Sequence, residues 1–479
     1  MKKISVISAV IMFWALQATL VVGEVIVKQY ETGGIYEGEF LNGKQHGQGI
    51  YRLPNGYIYE GSWVDGKIEG KGKAEYPDGA IYEGEFKAGQ PSGSGSIVFP
   101  DGSTYAGQWE NGNFEGQGLI IYTNGIRFEG EFKAGLQHGK GIMISPNGYS
   151  YDGDWKSGEK EGLGKITYTD QAVYEGEVKK GVRSGNGTLT MSNGIVFEGV
   201  WKEGNISGQG KIIQPNGDSY EGELVNGRRS GKGITIYSNG DSYSGYFEDD
   251  KREGEGTFLT KNGYSYSGKW KDGKMDGLGK IIYPDGSIYE GNLKDDLQNG
   301  IGKISYPNGS EYEGEWINGV IEGKGRAIYS NGLIYEGEFK DSKNHGFGTM
   351  QYDDGYTYSG EWANGVREGY GKASYSDGTV YEGEFFAGRR SGNGKFVTTD
   401  GFTYEGEWLE GEIEGFGKAT YPNGNTYEGY FKKGKRQGTG IMTYSTGEKY
   451  EGFWANGKKA TEEEANAAEE AKSALGEGD

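Results

Sequence analysis

The motif Tyr-Glu-Gly-Glu-aromatic stands at Tyr36-Glu37-Gly38-Glu39-Phe40 and returns 23 residues later as Tyr59-Glu60-Gly61-Ser62-Trp63. It recurs without insertion or deletion to Tyr450-Glu451-Gly452-Phe453-Trp454, eighteen steps of 23 residues from the first. So short and strict a period restricts the chain to a repeat architecture, in which each unit buries its apolar surface only against its neighbours. Position 1 of each unit is taken as the leading Tyr or Phe.

Every unit carries two turn signals. Asn42-Gly43, Ala88-Gly89 and Asn111-Gly112 mark the first turn, and Pro100-Asp101-Gly102 marks the second. Such pairs supply the positive φ angles of tight hairpins, which predicts two strands of about five to seven residues per unit. Period-2 alternation sets Tyr82, Gly84 and Phe86 on one face and Glu83 and Glu85 on the other. In the second strand Gly70, Gly72, Ala74 and Tyr76 share the ring face, opposite Lys71, Lys73 and Glu75. A bare glycine backbone lets a neighbouring ring lie flat on it, so rings over glycines are the expected core of a sheet that has no second layer.

Position 5 adds a second order of repetition. Phe40, Trp63, Phe86, Trp109, Phe132 and Trp155 alternate, then Val178, Trp201, Leu224 and Phe247 follow. The alternation resumes through Trp270, Trp316, Trp362, Trp408 and Trp454. This double unit of 46 residues implies either inequivalent successive hairpins or growth by duplication of pairs. The row Trp63, Trp109, Trp155, Trp201, Trp270, Trp316, Trp362, Trp408 and Trp454 is the candidate structural or partner-facing feature of the chain. Core packing is its expected role, with ligand stacking on exposed ring edges as the alternative.

Composition narrows the function classes. With 93 Gly among 479 residues and only 34% apolar residues, the chain cannot fill several conventional cores. Its 37 Tyr, 19 Phe and 10 Trp argue equally against disorder. A net charge of −20 disfavours nucleic acid and anionic membrane surfaces. The absence of cysteine excludes disulfides, thiol nucleophiles and Cys-ligated zinc.

Lys2 and Lys3 precede an apolar run from Ile4 to Leu16, and Val21-Val22-Gly23 offers small residues before Glu24. Residues 1–23 therefore read as a signal peptide, giving a secreted or periplasmic protein. The alternative is an uncleaved anchor, since Ile4 to Val22 approaches the ~20 residues that span a bilayer. Both readings place the array outside the cytoplasm.

The pattern of Tyr-Glu-Gly-Glu-Trp, Asn-Gly, paired glycines and Tyr before Asp-Gly or Asn-Gly resembles the membrane occupation and recognition nexus, or MORN, repeat. The resemblance covers residues 36–460 as eighteen full repeats and one partial, and Tyr30-Glu31-Thr32-Gly33 within residues 24–35 looks like the end of a preceding partial repeat. It implies an all-β fold: an elongated, twisted, single-sheet antiparallel array of β-hairpins, a β-meander. It also implies scaffolding, dimerisation or phospholipid contact, and some relatives join the repeats to a lipid kinase or methyltransferase domain. Residues 461–479 are too few for such a domain, so a non-catalytic protein is expected. Val178, Leu224 and Leu293 depart from the aromatic position and Tyr168-Thr169-Asp170-Gln171 lacks the turn glycine, so those units are expected to be looser or kinked.

No site chemistry competes with this reading. The Gly-x-Gly triplets, such as Gly70-Lys71-Gly72, complete no phosphate loop. His46, His138 and His345 all stand at position 11, four and nine units apart, too far to share a metal in an extended array. The motif's carboxylates are expected to meet cross-strand Lys. No catalytic residue, cofactor or metal site is assigned. Thr461-Glu462-Glu463-Glu464 reads as a capping box opening a short C-terminal helix, an acidic tail or a cap on the sheet edge. The expected function is an extracytoplasmic scaffold or adaptor for a protein partner or a second copy of itself, with a glycan- or lipid-headgroup-binding module as the alternative.

Overall fold

The computed structural model of the chain describes residues 24–473, so the signal-peptide reading of residues 1–23 lies outside the described residues. The described residues contain 39 strands of an open antiparallel sheet and one helix. The first strands are β1 (Glu24–Gln29), β2 (Ile35–Leu41) and β3 (Lys44–Arg52). From β2 onward a seven-residue and a nine-residue strand alternate up to the last, three-residue strand Lys458–Ala460.

Within a unit the two strands meet at positions 7 and 8, where Asn42 and Gly43 have φ of 51° and 78°. Two successive left-handed residues make the mirror-image turn whose twist suits a hairpin. Ala88, Ala134, Lys180 and Glu203 take the same conformation at position 7. Between units the Leu53 amide donates to the Tyr57 carbonyl at 2.8 Å and the Gly56 amide to the Leu53 carbonyl at 3.0 Å.

Two expectations about irregular units are corrected. Where Gln171 replaces the turn glycine it adopts a φ of 71°, and the turn closes with the usual Tyr168–Ala172 and Gln171–Tyr168 bonds at 2.8 and 3.0 Å. The turn is not looser; the side chain accepts the left-handed strain instead. Val178, Leu224 and Leu293 are only 3%, 1% and 3% exposed, so an aliphatic side chain fills position 5 as completely as a ring does.

The strand register differs from a plain alternation. Gly38 pairs with Gly49 but Phe40 pairs with Gln45, so His46, Gly47 and Gln48 all oppose Glu39. The same shift recurs, for example between Gly61 and Trp63 and between Gly406 and Trp408. This bulge explains why the second strand has nine residues where five to seven were expected. Phe-bearing and Trp-bearing units share one register, so successive hairpins are equivalent in pairing.

The chain divides into two compact units, Met1–Gly217 with Leu224–Gly227 and Asp218–Glu223 with Arg228–Asp479. In the first, each strand from β1 to Asn205–Ile213 pairs antiparallel with its neighbours in sequence. In the second, the same meander runs from Arg228–Ile236 to Lys458–Ala460. The helix α1 (Glu462–Ser473) follows, and its capping box is formed. The Thr461 amide donates to Glu464 Oε2 at 2.9 Å and the Glu464 amide to Thr461 Oγ1 at 3.3 Å. Ala465 is 2% exposed, and Gln437 Nε2 donates to its carbonyl at 3.2 Å, docking the helix start onto the strands Lys435–Thr443 and Lys449–Ala455.

Candidate functional site

The ring face is built from position 1 outward. Tyr36, Tyr59 and Tyr82 are fully buried, and each hydroxyl donates to the carbonyl three residues on, at 2.9 to 3.0 Å. The ring lies across the glycines of positions 3 and 14; a Cβ on Gly72 would collide with the Tyr59 ring. Burial pushes the phenols of Tyr36, Tyr105 and Tyr174 up to about 12.

The nine Trp of the candidate row are buried, from 2% exposed at Trp454 to 6% at Trp109, Trp155 and Trp362. Each indole N–H donates to a glycine carbonyl of the preceding unit, from 2.9 Å for Trp201 on Gly187 to 3.3 Å for Trp63 on Gly49. Each ring also meets Tyr edge-on, as Trp109 does Tyr82 and Tyr105 at 4.9 and 5.3 Å. The row therefore fastens each Trp-bearing unit to the one before it.

Position 10 escaped the sequence reading. Arg183 and Arg390 lie 4.4 and 4.3 Å over Trp201 and Trp408, and donate Nη2 to the carbonyls of Gly204 and Gly411 at 2.7 and 2.8 Å. Elsewhere Phe114 stacks on Tyr105 at 3.7 Å, and Ile206 is buried. The rings are thus covered by the chain's own side chains. No clear signal marks this role in the sequence, because the position carries Gln, Ile, Pro, Phe, Lys, Arg, Met and Asn in different units.

On the outer face the two motif carboxylates part company. Glu175 and Glu290, at position 2, meet cross-strand Lys165 and Lys280 at 2.7 and 2.6 Å. Glu39, Glu177 and Glu315, at position 4, accept backbone amides of the bulge at 2.9 to 3.2 Å, where Lys partners had been expected. Position 11 caps the next hairpin: Glu69 accepts the Ala88 amide at 3.0 Å and Glu115 the Ala134 amide at 2.9 Å. His138 Nδ1 takes the same role towards the Ser157 amide at 3.5 Å. The three histidines are not brought together, and among the described residues no group of acids and histidines is placed to hold a metal.

Position 13, also on the outer face, carries a feature not singled out in the sequence. Leu278, Ile301, Phe347, Tyr370 and Phe416 are all 45% to 61% exposed. A groove of about 910 Å³ runs between Ile301 and Phe347, floored by Gly314, Gly325 and Gly337 and flanked by Lys324 and Glu336. At the same position Gln48, Lys71, Ser94 and Gln117 are polar, Leu163 is 60% exposed, and Lys324 and Asn393 interrupt the apolar row.

A tight-turned antiparallel array whose units are joined by rings over glycines defines an open hairpin-repeat scaffold. The MORN repeat model matches nineteen consecutive segments, from 36–56 through 450–460. The chain belongs to the MORN repeat family. No curated protein matches it significantly. Similar solved structures include the SAS-4 (dCPAP) TCP domain of Drosophila melanogaster with a proline-rich motif of Ana2 (dSTIL), at 17% identity and a TM-score of 0.22, covering 37% of this chain and 90% of that one. The TCP10 domain of Danio rerio CPAP with a STIL peptide matches at 12% identity and a TM-score of 0.11, covering 72% and 98%. A streptogramin B lyase matches at 14% identity and a TM-score of 0.11, covering 61% and 91%. Likenesses at such scores carry no functional weight.

Proposed function

We propose that the chain is a non-catalytic scaffold outside the cytoplasm that binds protein partners through the outer face of its repeats. The exposed apolar stripe at position 13, Leu278, Ile301, Phe347, Tyr370 and Phe416, carries this reading. Exposed apolar side chains interleaved with charge, as at Lys324, fit a protein interface. The location rests on the pattern of residues 1–23. The alternative, a glycan- or lipid-headgroup-binding ring face, is weakened because the Trp rings are 2% to 6% exposed and covered by position 10.

Capture from envelope extracts with the full chain, run beside purified glycans and anionic vesicles, tests the proposal. A defined protein is retained by the wild type and released by Phe347→Ser with Tyr370→Ser. Saturable glycan binding, or salt-sensitive vesicle binding, with no such protein would replace it with the alternative.

A further inference from the structure

At position 10 of other units an arginine holds two partners at once: Arg436 Cζ lies 4.2 Å over Trp454 while Nη2 donates to the Gly457 carbonyl at 2.6 Å. Lys160 has no such ring ahead of it, because Val178 stands where those units have Trp. Lys160 donates to the Tyr149 hydroxyl at 2.8 Å, as Arg367 does to that of Tyr356 at 2.6 Å, and lies 4.5 Å over the Tyr149 ring, with Trp155 at 5.8 Å. Beside the amine, where Gln137 stands in the place of the arginines that cover Trp201 and Trp408, lies a cavity of about 360 Å³ lined by Tyr122, Phe128, Met143, Trp155, Lys160 and Lys180.

The groups facing the amine are the phenols Tyr122, Tyr149 and Tyr151, Glu159 on its own strand and Lys180 in the following turn. Burial among rings lowers the Lys160 ammonium to about 8, and no charge partner offsets it. The Tyr149 phenol is raised by burial and stays protonated. An amine that is partly neutral near physiological pH, at the edge of an aromatic cavity, with a phenol within hydrogen-bond reach, has the parts needed for carbonyl chemistry.

We propose that Lys160 is a site of reversible covalent capture of small aromatic aldehydes, preferring those that carry an anionic group for Lys180. The Lys160 lone pair forms the N–C bond while the carbonyl π pair takes a proton from the Tyr149 hydroxyl. The carbinolamine nitrogen then gives up its protons, one restoring the phenol and one leaving with the hydroxyl as water, which yields the imine. Hydrolysis reverses the sequence, and no oxidant or reductant is involved.

The test is to incubate the full chain with 4-formylbenzoate and sodium cyanoborohydride near neutral pH and to map the trapped adducts by peptide mass spectrometry. Lys160 is expected to react roughly tenfold or more faster than exposed lysines such as Lys133 and Lys179. Benzaldehyde, lacking the carboxylate, is expected to label Lys160 more slowly. Lys160→Arg, which can bond the Tyr149 hydroxyl as Arg367 bonds that of Tyr356, should lose the adduct and keep the melting temperature. Labelling of Lys160 no faster than of Lys133 and Lys179, or an equal preference in the chemically unfolded chain, would overturn the proposal.

Discussion

At the residue scale the fold depends on one contact, a tyrosine ring on a bare backbone. A Cβ on Gly394 would press into the Tyr381 ring, whereas a Cβ on Gly411 in the next turn meets nothing within 4 Å but sits at a φ of 92°. Overpacking a close contact costs about 1–3 kcal/mol, and a left-handed alanine about 1–2 kcal/mol. Gly394→Ala is therefore expected to destabilise more than Gly411→Ala, measured by urea unfolding. Trp270→Ala removes a buried ring, its bond to the Gly256 carbonyl at 3.2 Å and the surface under Arg252 at 4.6 Å. A loss of about 3 kcal/mol or more is expected in the same measurement. The ring-over-glycine core was legible because both residue types recur at fixed spacing. The covering role of position 10 was not, because Arg, Phe and Ile do the same job through different contacts.

At the element scale, hairpins and turns could be read from Asn-Gly and Asp-Gly, but the bulge could not. It adds two residues opposite position 4; the strand beyond the bulge keeps its expected faces, but the glycine of position 12, expected on the ring face as at Gly70, turns to the outer face beside position 4. Only the paired register shows it, together with Gly47 at a φ of 65° under the Glu39 carboxylate. Likewise the missing turn glycine at Gln171 suggested a defect where the backbone simply keeps its shape. The strain held there predicts that Gln171→Gly raises stability by about 0.5–1 kcal/mol, seen as a higher melting temperature. An unchanged or lower value would mean that the Gln171 side chain repays its backbone cost through contacts.

At the scale of the whole molecule, titration and binding follow from how the two faces are used. Because burial raises the phenols of Tyr36, Tyr105, Tyr174, Tyr220 and Tyr243 to about 12, the folded chain holds protons that the unfolded chain releases near 10. The stability they contribute is complete below pH ~10 and is lost as pH rises through about 12, since the native state then binds more protons than the unfolded one. Tyrosinate absorbance and circular dichroism should change together in one steep alkaline transition. Among the described residues no helix is long and apolar enough to cross a membrane. The outer stripe was hidden in the sequence because position 13 mixes Lys, Gln and Asn with Leu, Phe and Tyr. If the rings hold the array together while the outer face meets partners, the two faces separate in one comparison: the affinity of the captured partner for the wild type and for Phe347→Ser with Tyr370→Ser, measured alongside each chain's melting temperature. At least a tenfold loss of affinity, about 1.4 kcal/mol, is expected with melting unchanged; undiminished affinity in a fully folded variant would mean that the partner does not bind at these side chains.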